Sequence, residues 1–281
     1  MKRRTFIAHT AAALAGVALA GDVWAKKSKG KAIGLQLYTL RQVINKDVKG
    51  TLKQLSDWGY QELETYGYNK GMLFGMKSKE FAAYVNSLGM NVVSGHYGMD
   101  VVRGNWEQAV ADAREAGQKY VVVPWIVEAE RTEDGYKKIC EELNKAGEVA
   151  NKYGLRMGYH NHAFEFEVVG GQVAYDRMLN ELDPKLVGME LDIYWVVRAG
   201  KDPLQYFSKY PGRFEQWHVK DMDKTDKDKN ADVGTGSINF RPLFAQAKKA
   251  GMKHFYVEQE SYPADPMTST KNCIDNLKKI I

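Results

Sequence analysis

Ala150-Asn151-Lys152-Tyr153-Gly154-Leu155-Arg156-Met157-Gly158-Tyr159-His160 decides the fold. An amphipathic helical segment runs out at Tyr153, a glycine follows, and a short apolar run ends in a histidine. Glycine just past a helix terminates it by taking the left-handed conformation. The same junction recurs at Trp58-Gly59-Tyr60, Leu88-Gly89-Met90 and Ala250-Gly251-Met252. Working outward, short β-branched or apolar runs alternate with longer segments of helical period. The strand candidates are 33–38, 61–65, 91–96, 120–125, 156–160, 187–192, 214–219 and 254–258, with helices predicted over 49–58, 79–88, 106–116, 134–153 and 240–250. Eight βα units with one repeated junction predict an α/β fold, a single closed (β/α)8 TIM barrel. A doubly wound open sheet is the runner-up, but it wants a glycine-rich loop after its first strand, and Leu35-Gln36-Leu37-Tyr38-Thr39-Leu40 has none.

The first 25 residues stand apart from this rhythm. Lys2, Arg3 and Arg4 precede a short run of small apolar residues ending in an Ala-Leu-Ala signal, the pattern of a bacterial export peptide. Arg3-Arg4-Thr5-Phe6-Ile7 resembles a twin-arginine signal, with an ordinary secretory leader as the equal alternative. The apolar stretch is far short of the ~20 residues that span a bilayer. Residues 26–281 are therefore expected to be the catalytic barrel, periplasmic or otherwise exported. The formal charge is +5, of which residues 1–25 carry +2, leaving about +3. That mild excess is scattered or interleaved with acids, as in Lys224-Thr225-Asp226-Lys227-Asp228-Lys229, and argues against a nucleic-acid partner. Cys140 and Cys273 fall on the fourth and eighth helices, across the ring from each other, and are expected to stay unpaired. A homo-oligomer is compatible with these features and not required by them.

In a parallel barrel the strands' C-terminal ends carry the active site, and alternate residues point inward. Polar pairs two apart recur there: Gln36 and Tyr38, Glu62 and Glu64, Ser94 and His96, His160 and His162, Glu190 and Asp192, His218 and Lys220, Glu258 and Glu260. One pair would fit a half-exposed strand. Barrel strands are buried on both faces, however, so this many polar groups need partners or a ligand. His160, Asp192, His218 and Glu258 come from four successive strands about 4.8 Å apart and can converge on one divalent ion. Two imidazoles and two carboxylates suit Mn2+, Co2+, Fe2+ or Zn2+ better than Mg2+ or Ca2+. The plain alternative is a buried hydrogen-bond network.

These motifs resemble a known family. Gly158-Tyr159-His160-Asn161-His162 with Phe164-Glu165-Phe166, Leu191-Asp192, His218-Val219-Lys220-Asp221, Gly234-Thr235-Gly236-Ser237-Ile238-Asn239-Phe240 and Val257-Glu258-Gln259-Glu260 are similar to xylose isomerase-like TIM barrels of the sugar phosphate isomerase/epimerase group, which includes inosose dehydratases and keto-sugar epimerases. The resemblance implies a divalent ion held by His160, Asp192, His218 and Glu258, and an enediolate-type intermediate formed by removing a proton beside a carbonyl. Epimerase-type members commonly have a glutamate where His160 stands, so a two-carboxylate epimerase mechanism is in doubt here and a one-base elimination or hydration gains.

Further roles follow from position. Glu258 or His96 is expected to take the proton, and Lys220 to stabilise an oxyanion or protonate a leaving oxygen, an ion pair with a carboxylate such as Glu190 being its alternative. Asp221 has the opposite parity and reads as support. His162 and Glu165 are expected to contact the sugar or to anchor their loop, and Glu64 to reach a sugar hydroxyl or hold His96. Tyr38 and Trp125 are expected to pack on sugar C–H faces, with sealing of the core as the alternative. Gly234 and Gly236 occupy a loop that binds phosphate in many barrels, yet no Arg or Lys flanks the pair inside the motif, and a simple loop turn is preferred. The leading expectation is a lyase or hydratase on 3-keto-glycosides or related keto-sugars. An isomerase or epimerase of a free ketose, and a non-catalytic periplasmic sugar-binding barrel, are the alternatives. Endonuclease action on abasic DNA is disfavoured by charge, by the export leader and by the want of further ligands for a multi-zinc cluster.

Overall fold

Tyr120-Val121-Val122-Val123 is buried at every position, as a strand covered on both faces must be. It is one of eight parallel strands in a computed structural model that describes residues 31–281. We number them β1 (Gly34–Gln36), β2 (Glu62–Thr65), β3 (Asn91–His96), β4 (Tyr120–Val123), β5 (Arg156–His160), β6 (Val187–Asp192), β7 (Gln216–Val219) and β8 (His254–Val257). Each pairs with its sequence neighbours, and β1 closes the cylinder against β8 through Gly34 opposite Tyr256 and Leu35 opposite Val257. The export leader expected over residues 1–25 lies outside the described residues. No helix among the described residues is long and apolar enough to cross a membrane.

Local chemistry explains the helices and their ends. The longest, Glu133–Lys152, starts where the Thr132 side chain accepts from Gly135 N, with Glu133 and Asp134 in its first turn and Lys152 in its last, the charge order that a helix dipole favours. Tyr136, Ile139, Cys140, Leu143, Ala146 and Ala150 form its buried stripe. Gly59, Gly89, Gly154 and Gly251 all take positive φ, between 73° and 97°, so the recurrent junction works as the sequence implies. Both cysteines are free and buried.

Strand ends differ from expectation where a local group intervenes. β1 stops at Gln36 because that side chain accepts from Tyr38 N at 2.9 Å and turns the chain into a short helical turn over Leu37–Leu40. β4 stops at Val123, before Pro124, which has no N–H to continue the ladder. The helix over 240–250 is divided at Gln246.

The main apolar core lies between the strands and the surrounding helices. Among the described residues Val93, Tyr120 and Val122 form a small apolar cluster separate from it. Much of the barrel interior is polar. Gln216 Nε2 bonds Ser94 Oγ and Glu190 Oε1, both at 2.9 Å, and Gln36 Nε2 bonds Glu64 Oε2 at 2.9 Å. TIM barrels usually fill this space with branched aliphatic layers, so the sequence has given up apolar packing there in favour of charge.

Two glycine substitutions separate strain from collision. A Cβ at Gly251 would sit 2.7 Å from the Gly212 backbone, whereas one at Gly89 meets nothing within 4 Å. Urea unfolding should show Gly89→Ala costing about 1 kcal/mol and Gly251→Ala at least about 2 kcal/mol. Equal losses would mean that the Gly212 contact does not constrain the fold.

Candidate active site at the barrel mouth

Asp192 ends β6 and caps the next helical turn, its Oδ1 accepting from Trp195 N at 2.9 Å. That leaves Oδ2 buried with no hydrogen-bond partner, and both ring nitrogens of His160 are equally unpartnered. Buried orphan atoms cost about 1–3 kcal/mol each unless something else satisfies them. Asp192 Oδ2 and one of the His160 nitrogens, Nε2, face a common point. His160 Nε2 lies 3.4 Å from Asp192 Oδ2, and His218 Nδ1 lies 3.8 Å from Asp192 Oδ2 and 3.1 Å from Glu258 Oε2. All four ligand atoms fall within 4.8 Å of one another. Atoms bound at ~2.1 Å around a tetrahedral ion stand ~3.4 Å apart, so this set fits a divalent cation.

A second cluster lies beside it. Glu64, His96, Glu190 and His218 also come within 4.8 Å, closed by two shorter hydrogen bonds, His218 Nε2 to Glu64 Oε2 at 2.6 Å and His96 Nε2 to Glu190 Oε2 at 2.9 Å. Glu64 is wholly buried. It therefore meets no sugar hydroxyl, and holds His218 as well as His96, whose Nε2 is 3.3 Å away.

The cations beneath the mouth correct two expectations. Burial pulls the His96 imidazole's pKa down, but the charges of Glu64 and Glu190 and their hydrogen bonds outweigh it and lift it to about 9. His96 thus favours its protonated form at neutral pH, a state that suits a proton donor better than the base expected of it. Lys220 is fully buried, its ammonium 3.1 Å from Glu258 Oε2, 3.5 Å from Asp192 Oδ2 and paired with Glu260. It opens onto no free space, so it holds three carboxylates together and does not reach a leaving oxygen. Its partners are these and not Glu190. For Glu258, burial is outweighed by Lys220 and His218, which keep the carboxyl well below the usual range.

A cleft of about 490 Å³ opens over these groups. Tyr38, 39% exposed, meets Tyr66 edge-on at 5.2 Å. Across the barrel, Trp125, 45% exposed, meets His162 edge-on at 4.7 Å. Both expected stacking rings therefore stand open at the rim. His162 lines the cleft as well, and burial, followed by the nearby His160 and Lys220, holds its pKa well below the usual imidazole value. Glu165 is a correction: it is fully buried, accepting from Tyr159 OH at 2.6 Å and from His162 N at 2.8 Å, and anchors the loop without touching the cleft. Glu260, expected to point inward but given no role, and the rim aromatic Tyr66 also line the cleft, while Gln216, which ties the interior, is not among the expected residues. Glu260 and Gln36 carry the two-residue parity signal; Gln216 opens β7, at the end of the strand away from the mouth, where no such signal marks it.

Gly234 and Gly236 serve Asp221. Its Oδ2 accepts from both of their amides at 2.9 Å, and its Oδ1 from Met222 N at 2.8 Å and Ile238 N at 3.1 Å. A Cβ at Gly236 would lie 2.2 Å from Met222 O, so glycine is required for the wrap. These amides are taken by a side chain and are not free to hold a phosphate.

A family model for the xylose isomerase-like TIM barrel matches residues 52–280. The chain belongs to that family. It is 32% identical to a solved sugar phosphate isomerase/epimerase from Parabacteroides distasonis, covering 89% of this chain and 98% of that one with a TM-score of 0.78. An inosose dehydratase from Clostridium perfringens is 26% identical over 202 residues, 66% of this chain and 63% of the relative, so the match spans under two thirds of that curated enzyme. The solved IOLI protein with a binding zinc atom, 15% identical over 89% of this chain with a TM-score of 0.69, shares the fold.

Burial lifts the Glu165 carboxyl to about 7, against the opposing bonds from Tyr159 and His162. A folded pKa above the ordinary ~4.3 means that its contribution to stability is complete below pH ~4 and is lost as pH rises through 7. Relative to Glu165→Gln, the wild type should lose about 3 to 4 kcal/mol of unfolding free energy between pH 4 and 8. A constant difference across that range would show that the carboxyl titrates normally.

Proposed function

We propose that this chain is a divalent-metal-dependent enzyme that removes a proton beside the carbonyl of a non-phosphorylated keto-sugar, acting as a lyase or hydratase on 3-keto-glycosides or related compounds. The observation that carries the reading is the set of unpartnered atoms on His160 and Asp192, converging with His218 and Glu258 at the floor of an open cleft. Similarity to an inosose dehydratase and to a sugar phosphate isomerase/epimerase supports sugar as the substrate class. The zinc in the IOLI structure supports a divalent ion, with Mn2+, Co2+ or Zn2+ favoured by the ligand set.

When bound, the ion supplies Lewis-acid polarisation of the carbonyl and a neighbouring hydroxyl. Glu258, kept ionised by Lys220 and His218, accepts the α-proton. His96, protonated and lining the cleft, donates to the departing oxygen. Trp125 and Tyr38 pack on the substrate's C–H faces. No Arg or Lys lines the cleft among the described residues. The nearby Arg41 is spent on Tyr262 OH at 3.0 Å and Glu260 O at 2.7 Å. A phosphate would find no arginine or lysine on the cleft wall to hold it. The lining carboxylates, Glu258 and Glu260, both follow β8, so there is no second carboxylate across the substrate to return the proton on its other face. That favours elimination or hydration over the alternative, epimerisation. The leader sequence supports export of the mature barrel.

Elemental analysis of the purified chain should find about one divalent ion per copy, largely lost in His160→Ala and in Glu258→Ala; full metal in both variants removes the site. Mass spectrometry of 3-keto-glycosides incubated in D2O should show released aglycone or water-addition product, while deuterated, rearranged ketose alone would favour an isomerase. Metal retained without any exchange would favour a binding barrel. The release rate should fall as pH rises through about 9, where His96 loses its proton. A rate that climbs across that range would exclude His96 as the acid.

A further inference from the structure

His218 stands between the two clusters, one ring nitrogen in each. Its Nδ1 faces Glu258 Oε2 at 3.1 Å and Asp192 Oδ2 at 3.8 Å, while Nε2 faces Glu64 Oε2 at 2.6 Å and Glu190 Oε2 at 3.4 Å. An imidazole bonded through one nitrogen to a fixed carboxylate is held in one tautomer and one rotation, its other lone pair directed at whatever lies opposite. The carboxylate here is itself fixed. Gln36 Nε2 donates to Glu64 Oε2 at 2.9 Å, and Gln36 Oε1 accepts from Tyr38 N at 2.9 Å. A line of hydrogen bonds thus runs from the backbone after β1, across the barrel interior, to a ring on β7.

Resting on the ion-binding reading above, we propose that Glu64 is a positioning residue, holding His218 so that Nδ1 points at the site formed with His160, Asp192 and Glu258. The competing role for the lower cluster, a second ion site sharing His218, fits less well. Its closest contacts, 2.6 and 2.9 Å, are shorter than the 3.1 Å hydrogen bond of His218 to Glu258 in the upper set, and an ion would have to spread them further to reach the ~3.4 Å expected between ligands. Among the described residues no side-chain polar atom of Glu64, His96 or Glu190 is buried without a partner, in contrast to His160 and Asp192. The orphan atoms mark one cluster as the place for an ion and the other as its support.

Co2+ is the probe, because its visible spectrum reports ligand geometry without turnover. The full chain, Glu64→Ala, Glu64→Gln, His218→Ala and the double variant Glu64→Ala/His218→Ala are titrated with Co2+ against a chelator, with circular dichroism as the check on folding. The wild type should take one Co2+ per chain. Glu64→Ala should bind about 10- to 100-fold more weakly, with a changed visible band. Glu64→Gln, which keeps an oxygen to accept from His218 Nε2, should fall between the two and carries the comparison if the alanine variant does not fold. With His218 already absent, removing Glu64 should change affinity by roughly twofold or less.

Wild-type affinity and spectrum in a folded Glu64→Ala overturn the proposal. So does an equal loss with and without His218, because Glu64 would then not act through that ring. Two Co2+ per wild-type chain, one of them lost in Glu64→Ala, would make the lower cluster an ion site instead. A wild type that takes up no Co2+ overturns the ion-binding reading itself, and that result is visible before any variant is measured.

Discussion

Four carboxylates share the inside of one narrow cylinder, and the rest of the structure is arranged around that fact. Glu64, Glu190, Asp192 and Glu258 are all at most 4% exposed, and each buried ion costs several kcal/mol in desolvation before any repulsion between them. His96 and Lys220 offset this from the same interior: each is raised above its ordinary pKa because the carboxylates more than compensate for burial. Each of these pairings depends on a particular strand register. Asp192 lies opposite His218 across β6 and β7, and a slip of one residue would turn one of them toward the helices.

That mutual dependence also bears on chemistry. Removal of a proton beside a carbonyl is the first step of both elimination and epimerisation, so the ion ligands proposed above would serve either reaction. The difference lies in what faces the substrate afterwards. Here the carboxylates on the cleft follow one strand, and the wall beyond β4 and β5 presents Trp125, His160 and His162. The seventh loop is closed on itself by the four amides around Asp221, which leaves it no free anion-binding surface.

The barrel was legible because its signals are local. A glycine after a helix and an apolar run after the glycine state their structure within about ten residues, and the parity of side chains at strand ends points inward regardless of what the rest of the chain does. Parity tells direction, however, and not depth or company. Lys220 does point inward, but Glu260 from β8 covers it. His96 looks like a free base until Glu64 from β2 and Glu190 from β6 arrive beside it. Glu165 follows a strand that ends at the mouth, and only the fold-back of its loop onto Tyr159 takes it out of reach. In each case the missing information was a contact between residues far apart in the chain.

Trp125 stands nearly half exposed, yet it is not loose. The Arg131 guanidinium lies 4.6 Å above its ring and 3.5 Å above Phe164, and is fastened to Ile126 O at 3.1 Å. A side chain already clamped in this way has little rotational freedom left to surrender when a guest covers it. This side of the open rim is consequently a stiff face, its orientation set before any guest arrives.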